Sequence, residues 1–344
     1  MDTAATPERR TRPRVGVITG DPNGVGPELV AKLVSETAST VDADIVVIGD
    51  EHVVASGAKI AGLSMDLPTW SADAVSGNGN GASLKVLKTI ASADVTPGEA
   101  TAVAGRSILD SFEAAADLAA SGAIDGVCYA PFNKTSLHMA GMKQADEMQH
   151  IAAHLGVTGA RELNAVDGLW TTRITSHVPL KDVAGLITED KILSAVRLLH
   201  DTIADSGVDK PRLVVAALNP HAGDNGNFGR EEIDVIGPAV DQAKEEGFDV
   251  LGPWPPDSVF LLGKDGRVDG VVAMYHDQTQ IAMKLMGFDR GITLHGGIPI
   301  PITTSAQGSA YDIVGQGVAR VTALRQAFDM AATIATRRLA RAAG

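Results

Sequence analysis

Short runs of β-branched and aliphatic residues alternate along the chain with helical stretches. This is the pattern of a mainly parallel sheet flanked by helices, an α/β fold. The apolar runs predict strands at Val15 to Thr19, Ile45 to Ile48, Gly126 to Ala130, Leu213 to Ala217 and Gly270 to Ala273. Helices are expected to begin at Pro27, Ala102, Asp146, Asp190, Glu231 and Arg320. The run SGNGNGA, from Ser76 to Ala82, is the most glycine-rich stretch and has no apolar periodicity, so it is expected as a surface loop. No internal repeat is visible.

A chain of 344 residues has room for two ordinary domains, or for one large α/β domain with an insertion. No long Pro/Ser linker marks a boundary, which suggests a chain that crosses between domains more than once. The expected division sets residues 14–135 with 300–344 in a first α/β domain and residues 136–299 in a second. The active site would then lie in the cleft between them, at the carboxyl ends of strands. The first dozen residues are polar, carry Arg9, Arg10 and Arg12, and precede no apolar run of signal-peptide length, so they are expected as a loose tail.

Apolar residues make up 44% and charged residues 21%, the balance of a globular protein. No segment approaches the roughly 18 uninterrupted apolar residues of a membrane span, so a soluble, cytoplasmic protein without membrane contact is expected. The one cysteine, Cys128, has no partner for an intrachain disulfide and reads as a small buried hydrophobe in the strand GVCYAP. A net charge of −13 argues against a nucleic-acid partner, because tracking a phosphate backbone needs a basic face. A small acidic substrate would need a local cluster of cations or a metal.

Five constellations carry candidate chemistry. Gly20-Asp21-Pro22-Asn23-Gly24-Val25-Gly26-Pro27-Glu28 joins a strand to a helix. It reads either as a helix N-terminus that holds an anion or as a structural turn, and its spacing is not that of a dinucleotide fingerprint. Asn133 and Lys134 follow the strand GVCYA, where an amide and an ammonium would face the crevice and Lys134 would hold a carboxylate or phosphate. His221, in the run NPHAGDNG, and His276, in YHDQ, each follow an apolar strand and could converge on one divalent ion, with Asp277 beside them. Finally, the small residues from Gln307 to Ala319 let backbone approach a ligand closely, and Asp312 can accept hydrogen bonds from a ribose or adenine group.

The runs TGDPNGVGPELV, APFNK, SHVPL, LNPHAG, GREEID, GPWPPDS, AMYHDQ and GSAYDIVGQG, in this order across about residues 14 to 320, resemble the motifs of the 4-hydroxythreonine-4-phosphate dehydrogenase family. The resemblance implies a two-domain fold like that of isocitrate and isopropylmalate dehydrogenases, and GSAYDIVGQG is similar to their adenosine-binding loop. It implies a homodimer with its site in the interdomain cleft near the subunit interface, a divalent metal (Zn, Mn, Mg or Co), NAD as hydride acceptor, and loss of carbon dioxide from the β-keto acid formed. It points to Lys134, Asp277 and Lys284 as catalytic residues and to Gly308, Ser309, Ala310, Asp312 and Gly315 as cofactor contacts. Asn133, Lys134, Lys284, Thr293 and His295 are then the expected substrate contacts.

Two departures from the family pattern bear on the substrate. The metal ligands match His221 and His276, but the third family histidine falls on Glu147. Glu147 could bind through oxygen, or His150, one helical turn on, could reach the ion. The family asparagine of the phosphate site aligns with Thr293 and its arginine with Ile302, which removes a bidentate anion clamp. That puts phosphohydroxythreonine in doubt and leaves open a carboxylated cis-diol, as in the similar terephthalate dihydrodiol dehydrogenases. Other classes weighed are a phosphate acetyltransferase-like enzyme, against which the GSAYDIVGQG loop speaks, and an inactive binding protein. Of the remaining histidines, His200 reads as a surface residue. His177 would either orient the site or serve a core hydrogen bond, and His295 would be a substrate contact peculiar to this branch.

Overall fold

A computed structural model describes residues 12–37, 42–72, 81–287 and 290–343. The N-terminal tail before Arg12 and most of the loop expected from Ser76 lie outside the described residues. Eleven strands form one sheet among the described residues: β1 (Arg14–Ile18), β2 (Asp44–Asp50), β3 (Ala82–Leu87), β4 (Gly126–Tyr129), β5 (Arg161–Val166), β6 (Leu169–Arg173), β7 (Arg212–Ala216), β8 (Asp249–Trp254), β9 (Gly270–Ala273), β10 (Ile292–Gly296) and β11 (Ile302–Ser305). Their order is β3-β2-β1-β4-β11-β10-β5-β6-β9-β7-β8.

The sheet is mainly parallel, but β10 runs against β11 and β5, and β5 runs against β6. All other neighbours are parallel. The antiparallel centre reverses strand polarity. The carboxyl ends of β1, β4 and β11 therefore lie at one end of the sheet and those of β6, β7 and β9 at the other. The strands RVGVI, GVCY and GVVA, apolar apart from Arg14 at the start of β1, are buried along their whole length, as strands covered on both faces must be.

Helices begin close to the expected signals. Thr101, Asp146 and Thr188 accept hydrogen bonds from the backbone N–H groups of Ala104, Gln149 and Lys191 and so cap the helices Ala102–Ala120, Glu147–His154 and Glu189–Ser206. The helix expected from Glu231 starts instead with a wide turn over Glu232–Ile236 before regular helix at Gly237–Glu245. The last helix, Thr322–Ala343, lays Leu324, Phe328 and Ala331 into one core with Val15, Val17 and Cys128. On the opposite face Phe112 and Ile151 pack with Ile18, Tyr129 and Ile302. The period-two alternation of β4 thus sends Cys128 and Tyr129 to opposite faces. Burial pushes the Cys128 thiol up to about 12, so it remains a protonated core residue.

Candidate functional site

The Gly20–Glu28 run forms the turn from β1 into the helix Gly26–Thr37, and it is buried throughout. The side chain of Asp21 accepts from Asn23 N at 2.9 Å and from the Tyr311 hydroxyl at 2.5 Å. Asn23 donates through Nδ2 to Glu99 O and accepts at Oδ1 from Thr96 N. Val25 N donates to Ser309 O, and a Cβ on Gly24 would stand 2.9 Å from Ser309. Further along the helix, Glu28 Oε1 accepts from Ala319 N, and Lys32 donates to Gly317 O and Ala319 O. The turn therefore grips the Gln307–Ala319 loop, and the structural reading of it prevails over the anion site. Burial raises the Asp21 carboxyl above the usual range, against its bonds from Tyr311 and Asn23. Burial likewise raises the Tyr311 hydroxyl, reinforced by Asp21.

On the held loop, Gly308, Asp312 and Gly315 are exposed, while Ser309 is buried. A Cβ at Gly308 or Gly315 would meet nothing within 4 Å, and Ala310 adopts a left-handed backbone with φ 44°. This gives an open, glycine-lined shelf on a fixed base, a geometry that suits a nucleotide laid along the backbone.

Beside the shelf lies a cavity of about 370 Å³. The carboxyl ends of β4 and β11 supply Tyr129, Thr304 and Ser305. The central antiparallel strands supply Glu162, Thr293 and His295, and the start of the helix Glu147–His154 supplies Glu147 with its cap Asp146. Lys134 and Gly308 line the same cavity, and among the described residues Lys134 is its only basic side chain apart from the imidazole of His295. Asn133 does not line the cavity: its side chain caps the short helix Lys134–Met139 by accepting from Ser136 N. Thr293 accepts from Asn164 Nδ2 at 3.0 Å.

His295 is 2% exposed, and its Nε2 lies 3.0 Å from the Tyr129 hydroxyl, which in turn reaches Glu147 Oε1 at 3.4 Å. Tyr129 stacks on Phe132 with ring centroids 4.3 Å apart. Burial pushes the His295 imidazole down to about 4, against the pull of the Glu162 and Asp146 carboxylates, so it is neutral at pH 7. Burial and then the carboxylates of Glu147 and Glu162 push the Tyr129 hydroxyl well up. Burial alone would raise the Glu162 carboxyl, but the Arg173 guanidinium at 2.9 Å and the Asn164 amide hold it below the usual range. Arg173 is also bound to Asn164 Oδ1 and Ser176 Oγ, so its charge is committed within the protein.

His221 and His276 follow β7 and β9, neighbouring parallel strands, and Gln278 links the two strand ends through Met274 N and Ala217 O. His276 Nδ1 lies 2.7 Å from Asp277 Oδ1, and the His276 ring is 5.8 Å from that of His177. His177 Nδ1 in turn lies 3.7 Å from Asp146 Oδ2 on the cavity wall. His221 opens a turn in which six consecutive residues, through Gly226, have positive φ. Four of them are not glycine, at a cost of about 1 kcal/mol or more each. The buried Glu232 braces this turn by accepting from Leu218 N, Asn219 N and Asn219 Nδ2. Glu147, by contrast, faces the cavity with Tyr129. The ring of His150, its alternative, is held at both nitrogens by Gln144 and Glu113. Among the described residues no group of three metal-binding side chains converges, so His221, His276 and Glu147 do not fit a closed metal shell in one chain. Lys284 is exposed on the helix His276–Gly287 and does not line the cavity.

Sequence reasoning missed Tyr129, Glu162 and Ser305, which lie within strands and read as sheet positions. Gln307 opened the run singled out from the sequence but was given no role of its own there; it is the first polar residue after the end of β11.

A strand-end cavity beside a glycine shelf, on a mainly parallel sheet, is the place where α/β enzymes build their sites. The family model described as pyridoxal phosphate biosynthetic protein PdxA matches residues 41–331, and the chain belongs to that family. It is 46% identical over 337 residues to a Pseudomonas aeruginosa protein provisionally named 4-hydroxythreonine-4-phosphate dehydrogenase 2, covering 93% of this chain and 96% of the relative. The crystal structure of a 4-hydroxythreonine-4-phosphate dehydrogenase from Burkholderia phymatum superposes with a TM-score of 0.80 at 31% identity, covering 94% and 98% of the two chains. That of a terephthalate 1,2-cis-dihydrodiol dehydrogenase from Burkholderia xenovorans superposes with a TM-score of 0.69 at 27% identity, covering 94% and 98%.

Proposed function

We propose that this chain is an NAD-linked dehydrogenase that oxidises the CH–OH group of a small hydroxy acid, with decarboxylation following oxidation. The observation that carries the reading is that Lys134 and Gly308 line one cavity. An anion held by Lys134 would thereby place the substrate carbon beside a cofactor lying on the glycine shelf. Bound NAD would accept the hydride. Lys134 would bind and orient the substrate's carboxylate or phosphate, and the wall of buried Tyr129 with half-buried Phe132 and Met148 would exclude water.

The reading also includes a divalent metal with His221 and His276 as nitrogen donors and Asp277 beside them. Because the third donor does not join them in one chain, no step is derived through it. A homodimer is part of the same proposal. Ile281 and Leu285, one turn apart on the helix that starts at His276, are 61% and 84% exposed, a face that a second copy would cover. The proposed domain division is 14–135 with 300–344 against 136–299, with β11 and the last helix returning to β4. A cytoplasmic site of action is also proposed; among the described residues no helix is long and apolar enough to cross a membrane.

The deciding experiment is NADH formation with zinc, manganese or magnesium present, comparing 4-phosphohydroxythreonine, 4-phosphoerythronate and a terephthalate-type cis-dihydrodiol. Turnover abolished by chelation and restored by one metal supports the full reading, and turnover indifferent to chelation removes the metal from it. No NADH from any of the three overturns the reading for these substrate classes.

A further inference from the structure

Four residues on the cavity wall carry a buried polar atom with no hydrogen-bond partner: Glu147 Oε2, His295 Nδ1, Ser305 Oγ and Gln307 Nε2. Leaving such an atom unpaired costs about 1–3 kcal/mol, so four around one void indicate a place kept for polar groups of a ligand. Their chemistry says which groups. Where the Tyr129 hydroxyl donates to Glu147 Oε1, 3.4 Å away, the 3.0 Å contact with His295 is made by an Nε2–H donating to the Tyr129 oxygen. In that tautomer Nδ1 is a bare acceptor.

Glu147 Oε2 and His295 Nδ1 are then two acceptors that only a donor can satisfy. A carboxylate or a phosphate monoester is largely deprotonated at neutral pH and presents its oxygens as acceptors. These oxygens would also face Asp146, Glu147 and Glu162, with Lys134, among the described residues, the one lysine or arginine on the wall and Arg173 bound to Glu162. Where the resemblance expects an arginine, Ile302 is fully buried in the core behind β11.

We propose that this cavity is a hydroxyl-recognition subsite, in which Glu147 and His295 each accept a hydrogen bond from a substrate hydroxyl while Lys134 takes the substrate's single negative charge. Ser305 and Gln307 donate to oxygens on the other side. The substrate class is a polyhydroxy or cis-diol monocarboxylic acid, and any phosphate the substrate carries lies outside this cavity. The proposal rests on the dehydrogenase reading only in calling the ligand a substrate. It assigns Glu147 to the substrate rather than to the metal.

The test is a cycle between protein acceptor and ligand hydroxyl, read as binding and not as turnover. The full chain with NADH present is titrated calorimetrically with erythronate and with its 3-deoxy and 2-deoxy counterparts. The proteins are the wild type, His295→Phe and Glu147→Ala, with His295→Gln and Glu147→Gln as milder variants should the first pair fail to fold. Each variant is expected to weaken erythronate about 50-fold and one deoxy acid less than about threefold, because the hydroxyl that lost its acceptor is already missing. Equal weakening of erythronate and both deoxy acids would overturn the proposal. So would tighter binding of inorganic phosphate than of erythronate, displaced by Lys134→Ala. If the cycle holds while no acid yields NADH, the dehydrogenase reading fails and the subsite stands. If NADH forms while the cycle is additive, the subsite fails alone.

Discussion

The turn at Gly20–Glu28 and the cavity beside Glu147 sit at the ends of adjacent strands, β1 and β4, and both gather polar side chains out of water. They differ in what those side chains meet. Asp21 and Asn23 have each side-chain polar atom bonded to the chain, to Asn23 N, Tyr311, Glu99 O, Thr101 and Thr96 N. Glu147, His295, Ser305 and Gln307 each keep one atom unpartnered. Satisfied buried polar groups rigidify a frame, whereas unsatisfied ones lower stability and await a ligand. Glu28 Oε2 in the same turn is also unpartnered, so what marks the site is the grouping of four such atoms around one void and not their occurrence alone.

Replacing Asn23 with Leu should break that contrast most severely. It strands Thr96 N and Glu99 O inside the fold, and a loss on the order of 3 kcal/mol is expected in urea unfolding. A loss under about 1 kcal/mol would mean that the turn is not the frame described.

Next comes the acid limb of the stability profile. His295 is held at about 4 against an ordinary 6.5, so the unfolded chain binds a proton there that the native chain refuses. Its contribution is fully present above pH 6.5 and is lost as pH falls toward 4, by roughly 3 kcal/mol. His295→Phe should flatten that window, and an unchanged pH profile would refute the burial argument.

A smaller effect is expected at the cavity rim. Lys134→Ala should raise KM for the acidic substrate about tenfold, or about 1.4 kcal/mol, with little change in thermal stability because the side chain is exposed. An unchanged KM would place the anion elsewhere. The smallest change sharpens the comparison from the other side: Ser305→Ala removes an unpaired buried hydroxyl and should stabilise the free protein by about 0.5–1 kcal/mol while weakening ligand binding. Destabilisation would show that Ser305 already has a partner.

Much of the fold was legible because parallel, doubly covered strands leave uninterrupted apolar runs, as at Val15, Val127 and Val271. The helix starts expected at Asp146 and Asp190 fall within one residue of the observed ones, where Asp146 and Thr188 are caps that act within one turn of chain. The central strands β5, β10 and β11 were not legible. RELNAV, ITLHG and ITTS mix polar residues into a buried sheet because those residues face a cavity or a polar network and not a helix. Lys134 and the glycines after Gln307 could be singled out as strand-end residues, but the grouping of Glu147 with Tyr129 and His295 could not.

By itself, then, the sequence determined the α/β pattern, the helix caps and the family, all carried by local periodicity and contiguous motifs. Tertiary structure decided the rest: the polarity reversal at β10 and β5, the use of the Gly20–Glu28 turn as a clamp, and the parting of Glu147 from His221 and His276. The pairing of β10 with β5 and the contact of Asp21 with Tyr311 join residues more than a hundred positions apart, and strand order and burial are properties of the assembled sheet.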